Sequence, residues 1–166
     1  MIQNLFHYSI PLLIILNGCG YTNLVKTNSL KPTRDALPPE PFEVIYSAGL
    51  NELNSVEEYV KKDLVKDGFA QVDYRLTNED KIKIYDAVKN IDWSTYPDRI
   101  GTNIGWITKS LWIKYGNIEK RISWSTISNP KNDQEFSIRE IEEVLNDVLY
   151  NSSAYRSLPP ANCGRL

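Results

Sequence analysis

The chain has 166 residues, 42% hydrophobic and 11% aromatic, which supplies one ordinary core and leaves no room for a second full domain. Its 19 Lys+Arg and 21 Asp+Glu nearly cancel to a net charge of −2 without a long single-sign run, which argues against a nucleic-acid partner, because displacing counterions from phosphate takes clustered cations. Cys19 and Cys163 are too few for a disulfide framework, and His7 is the single histidine.

Residues 1–18 contain an apolar run at 10–16 and no Lys, Arg, Asp or Glu. The run is far shorter than the roughly 20 residues that span a bilayer. It fits the h-region of an export signal, so a signal peptide is expected over 1–18. The following Leu16-Asn17-Gly18-Cys19 resembles the bacterial lipobox, an aliphatic residue and two smaller ones before the cysteine that is lipidated and becomes the new first residue. That resemblance implies a lipid anchor on Cys19, with the membrane as a partner; a plain secretory signal or a buried amphipathic start are the alternatives. Removal of the leader would take His7 with it. The mature chain would then have no imidazole, which excludes Ser-His and Cys-His nucleophile pairs and His-containing zinc sites.

Residues 19–41 are polar and proline-bearing, with Pro32, Pro38, Pro39 and Pro41 and no sustained apolar period, and are expected to form a flexible tether. A single α+β domain is expected over 42–166. Phe42, Val44, Tyr46 and Ala48 alternate as one face of a strand that Gly49 ends. Residues 55–65 suit either a helical stripe or a hairpin arm, and the Asp67-Gly68 turn that follows favours a strand. Ala70, Val72, Tyr74 and Leu76 alternate in the next strand.

Thr77-Asn78-Glu79-Asp80 reads as a capping box opening a helix whose stripe is Ile84, Tyr85, Val88 and Ile91, running out near Trp93. Residues 107–115 and 118–124 alternate around Gly116-Asn117, a two-residue hairpin turn. Ser137-Ile138-Arg139-Glu140 reads as a second capping box, and Ile138, Ile141, Leu145, Val148 and Leu149 carry its stripe to about Tyr150. Leu158-Pro159-Pro160 is expected to run extended over the surface or along a sheet edge. Together these elements predict an antiparallel sheet of about four to five strands with two helices packed on one face.

Chemistry-bearing patterns are sparse. Ser128-Asn129-Pro130-Lys131 has the letters S-x-x-K, but Asn129-Pro130 describes a turn where that motif requires a helix start. There is no nucleophile elbow and no phosphate-binding glycine loop, and the stretch from Gly101 to Gly105 carries too few glycines to cradle a phosphate. The carboxylate pairs Glu57-Glu58, Glu79-Asp80 and Glu142-Glu143 read as a solvated stretch, a helix cap and a helix's polar face. The loop 129–135 lacks the alternating ligands of a calcium loop. No catalytic residue, metal or cofactor is therefore assigned.

Among the tryptophans, Trp93 and Trp124 read as packing residues. Trp112 shares a strand face with Ser110 and Lys114, so these three residues are the candidate partner-binding set; cover by the chain's own tail is the other reading for Trp112.

Tyr46-Ser47-Ala48-Gly49, Lys62-Asp63-Leu64-Val65, Leu76-Thr77, Ile91-Asp92-Trp93 with Tyr96-Pro97, Ile122-Ser123-Trp124 and Tyr155-Arg156-Ser157-Leu158-Pro159 give the chain, from about residue 44 onward, the look of a group of uncharacterised small exported proteins and lipoproteins of bacteria. That resemblance implies one small fold outside the cytoplasm and transfers no catalytic residue. The element order is also similar to that of a class of bacterial metalloprotease inhibitors, an analogy of order alone. The expectation is a non-enzymatic binding module at the cell surface or in the periplasm, with an unknown protein or small molecule as partner. A secreted-protease inhibitor, using residues 97–105 or the tail, and a histidine-independent enzyme are the alternatives.

Overall fold

The computed structural model describes residues 37–101 and 108–162. The expected signal segment, Cys19, the tether up to residue 36, residues 102–107 with Trp106, and Cys163 lie outside the described residues.

The first strand, β1 (Phe42–Ala48), buries every second residue, as its alternation requires, and is followed by β2 (Asn51–Asn54), β3 (Tyr59–Val65) and β4 (Gly68–Asp73). After these come α1 (Asn78–Val88), a 3-10 turn at Trp93–Thr95, β5 (Arg99–Ile100), β6 (Lys109–Tyr115), β7 (Ile118–Trp124), α2 (Asp133–Asn151) and α3 (Ser153–Ser157). The fold is α+β, as expected. Its sheet is larger than the expected four to five strands: seven strands stand in the order β4-β3-β2-β1-β6-β7-β5. Nor is it wholly antiparallel, because β5 runs parallel to β7 through the pairs Arg99–Ser123 and Ile100–Trp124.

Local chemistry explains the other departures. Residues 55–58 turn rather than extend because the Asn54 carboxamide oxygen accepts from the Val56 and Glu57 amides at 3.1 and 3.0 Å, so β3 begins only at Tyr59. Helix α1 opens on the expected Thr77–Asp80 capping box but stops at Val88, short of Trp93. There Asp92 takes the Ser94 amide at 3.1 Å and starts the separate 3-10 turn.

Helix α2 begins four residues before Ser137. Its cap is Asn132, whose side chain accepts from the Glu135 amide at 2.9 Å, while the Ser137 hydroxyl sits inside the helix and donates to the Asp133 carbonyl. The tail is extended. The Asn162 amide donates to the Leu64 carbonyl at 3.2 Å, in an isolated parallel bridge beyond Lys61, the last β3 residue that β2 pairs with.

One core gathers the inward residues of the sheet, among them Val44, Tyr46, Leu53, Leu111, Ile113, Ile122 and Trp124, with Ile84 and Val88 of α1 and Ile138, Ile141, Leu145, Val148 and Leu149 of α2. Trp93 and Trp124 belong to it, the first donating from Nε1 to the Tyr115 hydroxyl at 3.0 Å. Each fully buried aliphatic side chain contributes roughly 1.5–3 kcal/mol from its removal from water, so this cluster is the main favourable contribution to folding.

Candidate functional site

Strand alternation puts Ser110, Trp112 and Lys114 on the β6 face opposite Leu111, Ile113 and Tyr115. Register then supplies their neighbours. Trp112 lies beside Ile45 on β1 and Arg121 on β7; Ser110 lies between Ser47 and Ser123; Lys114 lies between Glu43 and Glu119. All three candidates are half-buried, and Glu119 and Arg121 are exposed.

The Trp112 indole N–H donates to Glu119 Oε1 at 3.1 Å, and Lys114 Nζ lies 3.8 Å from Glu43 Oε2. A tryptophan thus sits on the non-core face with its donor held by a neighbouring carboxylate and its ring beside an isoleucine. The described tail reaches β3 through Asn162. Ile45 and Arg121 were not singled out from the sequence, although Ile45 is the apolar residue that interrupts the polar side of β1.

The same face continues across β2 and β3 as a second polar group. Glu52 accepts from the Tyr59 hydroxyl and, at 3.3 Å, from Lys61 Nζ. Burial opposes ionisation of Glu52, but the bonds from Tyr59 and Lys61 outweigh it and hold the carboxyl below its usual range. The reciprocal bond to Glu52, with some burial, pushes the Tyr59 hydroxyl up.

On the core side a different cluster joins α2 to the sheet. Glu142 pairs with Lys109 through Oε1 and accepts from Trp124 Nε1 at 2.7 Å through Oε2. The Tyr46 ring stacks on Trp124 at 6.2 Å between centroids, and its hydroxyl donates to Asn146 Oδ1 at 2.8 Å. Burial, then the negative charge of Glu142, drives the Tyr46 hydroxyl well above its ordinary value. Both oxygens of the carboxylate are thus taken, one by the Lys109 ammonium and one by the Trp124 indole, which ties α2 to β6 and β7. The cluster is a fastening.

Glu142 therefore does not lie idly on a polar helix face as its sequence neighbourhood suggested; Glu143 does, paired with Arg139 at 3.8 Å. The signal was present in the spacing. Residue 142 is four after Ile138 and three before Leu145, which places it on the buried stripe.

The remaining carboxylate pairs have local partners. Glu58 binds Arg75 at 2.7 Å, and Asp80 closes the Thr77 cap while accepting from the Tyr74 hydroxyl at 2.8 Å. Ser128 and Lys131 both precede α2, so no helical turn aligns them. Between α1 and α2 lies an open cleft of about 410 Å³, lined by Lys83, Asp86, Asn90, Ser137, Glu140 and Val144 among others. Among the described residues no group of three or more His, Cys, Asp or Glu is placed to hold a metal ion, and no helix is long and apolar enough to cross a membrane.

Comparison with known proteins finds no matching family, no matching curated protein and no matching solved structure.

Proposed function

We propose that this is an exported, lipid-anchored binding module. A signal peptide over 1–18 would be removed ahead of a lipid-bearing Cys19, residues 19–41 would tether the domain, and both long helices would cover the core face, leaving the opposite sheet face to a protein or small-molecule partner. The reading agrees with the resemblance to small exported bacterial proteins. The observation that carries the binding half is the adjacent trio Ile45, Trp112 and Arg121 on the non-core face, flanked by Ser110 and Lys114. Aromatic and arginine side chains dominate binding energy at interfaces, since each offers large area with few rotamers or a directional donor.

Two measurements test it. Protein from its native host should partition into the detergent phase with acylated Cys19; an aqueous, unmodified Cys19 chain refutes the anchor. A docking residue should be dispensable for folding, so Trp112→Ala should lower stability by no more than about 1.5 kcal/mol. A loss in the 3–5 kcal/mol range, roughly that of a buried tryptophan, would make Trp112 a packing residue and sink the platform.

A further inference from the structure

The non-core face carries cations that the fold itself does not use. Ile100 of β5 is buried opposite Trp124, so Arg99, opposite Ser123, stands on the other side of the sheet, the side of Trp112. Arg121 stands there too, two residues before Ser123 on β7 and directly opposite Trp112 on β6. The two arginines are one strand spacing and two residues apart, about 8 Å between Cα atoms for a spacing of about 4.8 Å and a rise of about 3.3 Å per residue. Both guanidinium groups can reach one point above Ser123.

Both arginines are exposed, and neither makes a hydrogen bond, an ion pair or a ring contact. The other described arginines are engaged: Arg75 with Glu58, Arg139 with Glu143 and Arg156 with Asn151. Carboxylates close by are taken elsewhere. Glu119 holds the Trp112 indole at 3.1 Å, and Asp98 holds Lys120 at 2.9 Å. Two open guanidinium forks without a carboxylate make a place for an oxyanion, because the planar fork binds carboxylate, sulfate or phosphate through two parallel bonds.

The surroundings narrow the class. Ser47, Ser110 and Ser123 face one another across β1, β6 and β7, in the row beside Ile45, Trp112 and Arg121. The hydroxyls of Ser47 and Ser110 have no partner and are open to water. β1, β6 and β7 are each paired on both sides, so this face offers an extended peptide no row of backbone donors and acceptors. Recognition here falls to side chains: hydroxyls, a ring beside an isoleucine, and two cations.

We propose, resting on the binding role given to this face, that its occupant is an acidic saccharide. The sugar ring lies on Trp112 and Ile45, its hydroxyls bond Ser47 and Ser110, and its carboxylate, sulfate or phosphate sits between Arg99 and Arg121. A nucleoside triphosphate also joins a ring to an anionic end. Its larger charge would meet Glu43 and Glu119 on the same face, however, whereas carboxylates readily accept from sugar hydroxyls.

The full chain in neutral detergent is applied to an array of oligosaccharides that carry glucuronate, galacturonate, sulfate or phosphate, each printed beside its neutral parent. Acidic members should be retained and their parents not, and the members held identify which oxyanion is recognised. Titration calorimetry with the retained glycan then gives affinities. Arg99→Ala and Arg121→Ala should each weaken binding about tenfold or more, and Arg121→Lys should recover only part of the loss.

Both side chains are exposed and unpartnered, so the urea midpoint should not move in these variants, and lost affinity then reports the site rather than unfolding. Lys66→Ala, which removes an exposed cation from the β3–β4 turn, should leave binding unchanged. Retention of no acidic member, equal retention of the neutral parents, or unchanged affinity in both alanine variants would each overturn the proposal. ATP or a polyglutamate peptide binding as tightly as the best glycan would overturn it too. An unstable Trp112→Ala protein sinks the platform itself, whereas a stable one together with an empty array removes only this occupant.

Discussion

Replacing Glu142 by glutamine separates a fastening from a surface ornament. Exposed ion pairs contribute only about 0–1 kcal/mol, because water screens them and ordering two long side chains offsets the gain. The Lys109–Glu142 pair is different in kind. Its side chains are 13% and 15% exposed, and the same carboxylate holds the N–H of Trp124, itself 1% exposed.

Removing one partner of a buried pair costs about 3–5 kcal/mol, since the survivor keeps its desolvation penalty without compensation. Glutamine leaves an acceptor for the indole, and Lys109 can extend its stem toward water, so about 2–3 kcal/mol is expected for Glu142→Gln. Glu142→Leu also orphans the indole N–H, which adds about 1–3 kcal/mol.

Urea unfolding should show a lower midpoint with unchanged slope, and a thermal midpoint lower by about 4 °C per kcal/mol. In the Lys109→Met, Glu142→Leu cycle the double variant should recover much of the loss, since no unpaired charge remains. If Glu142→Gln costs less than about 0.5 kcal/mol, the pair is solvated in solution and the link from α2 to the sheet does not exist as described.

Asn132→Ala should lower stability by about 1 kcal/mol and fray the start of α2 in circular dichroism, whereas Ser137→Ala should change it by less than about 0.5 kcal/mol; equal losses would contradict the placement of the cap. Val65 is a β-branched residue at φ 64°, a left-handed conformation costing about 1–2 kcal/mol, and its side chain is 56% exposed. Val65→Asn should therefore raise the urea midpoint by the equivalent of about 1 kcal/mol, and a lower midpoint would show that the valine side chain contributes more than its backbone strain costs.

Glu52 has its carboxyl pKa depressed in the folded state, so the stability it contributes is fully present above the ordinary value of about 4.3 and is lost as pH falls through the depressed one. Glu52→Gln should be less stable at neutral pH and show a shallower acid-side decline. An unchanged slope would mean that the Tyr59 and Lys61 bonds do not persist in solution.

Much of the fold was legible because its long elements obey one period each. β1 alternates in burial without exception, despite Ile45 on its polar side, the β6–β7 hairpin turns at Gly116-Asn117 with positive φ at the glycine, and the stripe of α2 matches its buried residues one for one. What escaped had no period to show. β2 is four residues with one aliphatic side chain, β5 is two, and α3 is five, so packing against a formed sheet decides their conformation rather than local propensity.

The parallel β5–β7 pair was invisible for the same reason, since nothing in Arg99-Ile100 encodes a partner twenty-odd positions away. At the candidate face, alternation was enough to group Ser110, Trp112 and Lys114 on one strand. Ile45 and Arg121 depend on which strands become neighbours, and only the insertion of β6 between β1 and β7 brings them to Trp112.

That insertion also shapes the face proposed for recognition. An antiparallel sheet with one side packed can leave the other to water, and the simplest outcome is a wholly polar surface, as with Glu43 and Ser47 on β1. An isoleucine and a tryptophan in adjacent central strands, both half-buried, depart from that outcome.

The Trp112 ring furthermore has its N–H held by Glu119 from the neighbouring strand. Binding costs fall when the contacting side chain is already ordered, so a ring pinned by its own sheet spends less entropy on capture than a mobile one. The arrangement thus combines an apolar step, a preset donor geometry and flanking charges of both signs, Lys114 and Arg121 against Glu43 and Glu119, so the proposed binding role would call for a mixed polar and apolar partner rather than a uniformly anionic one.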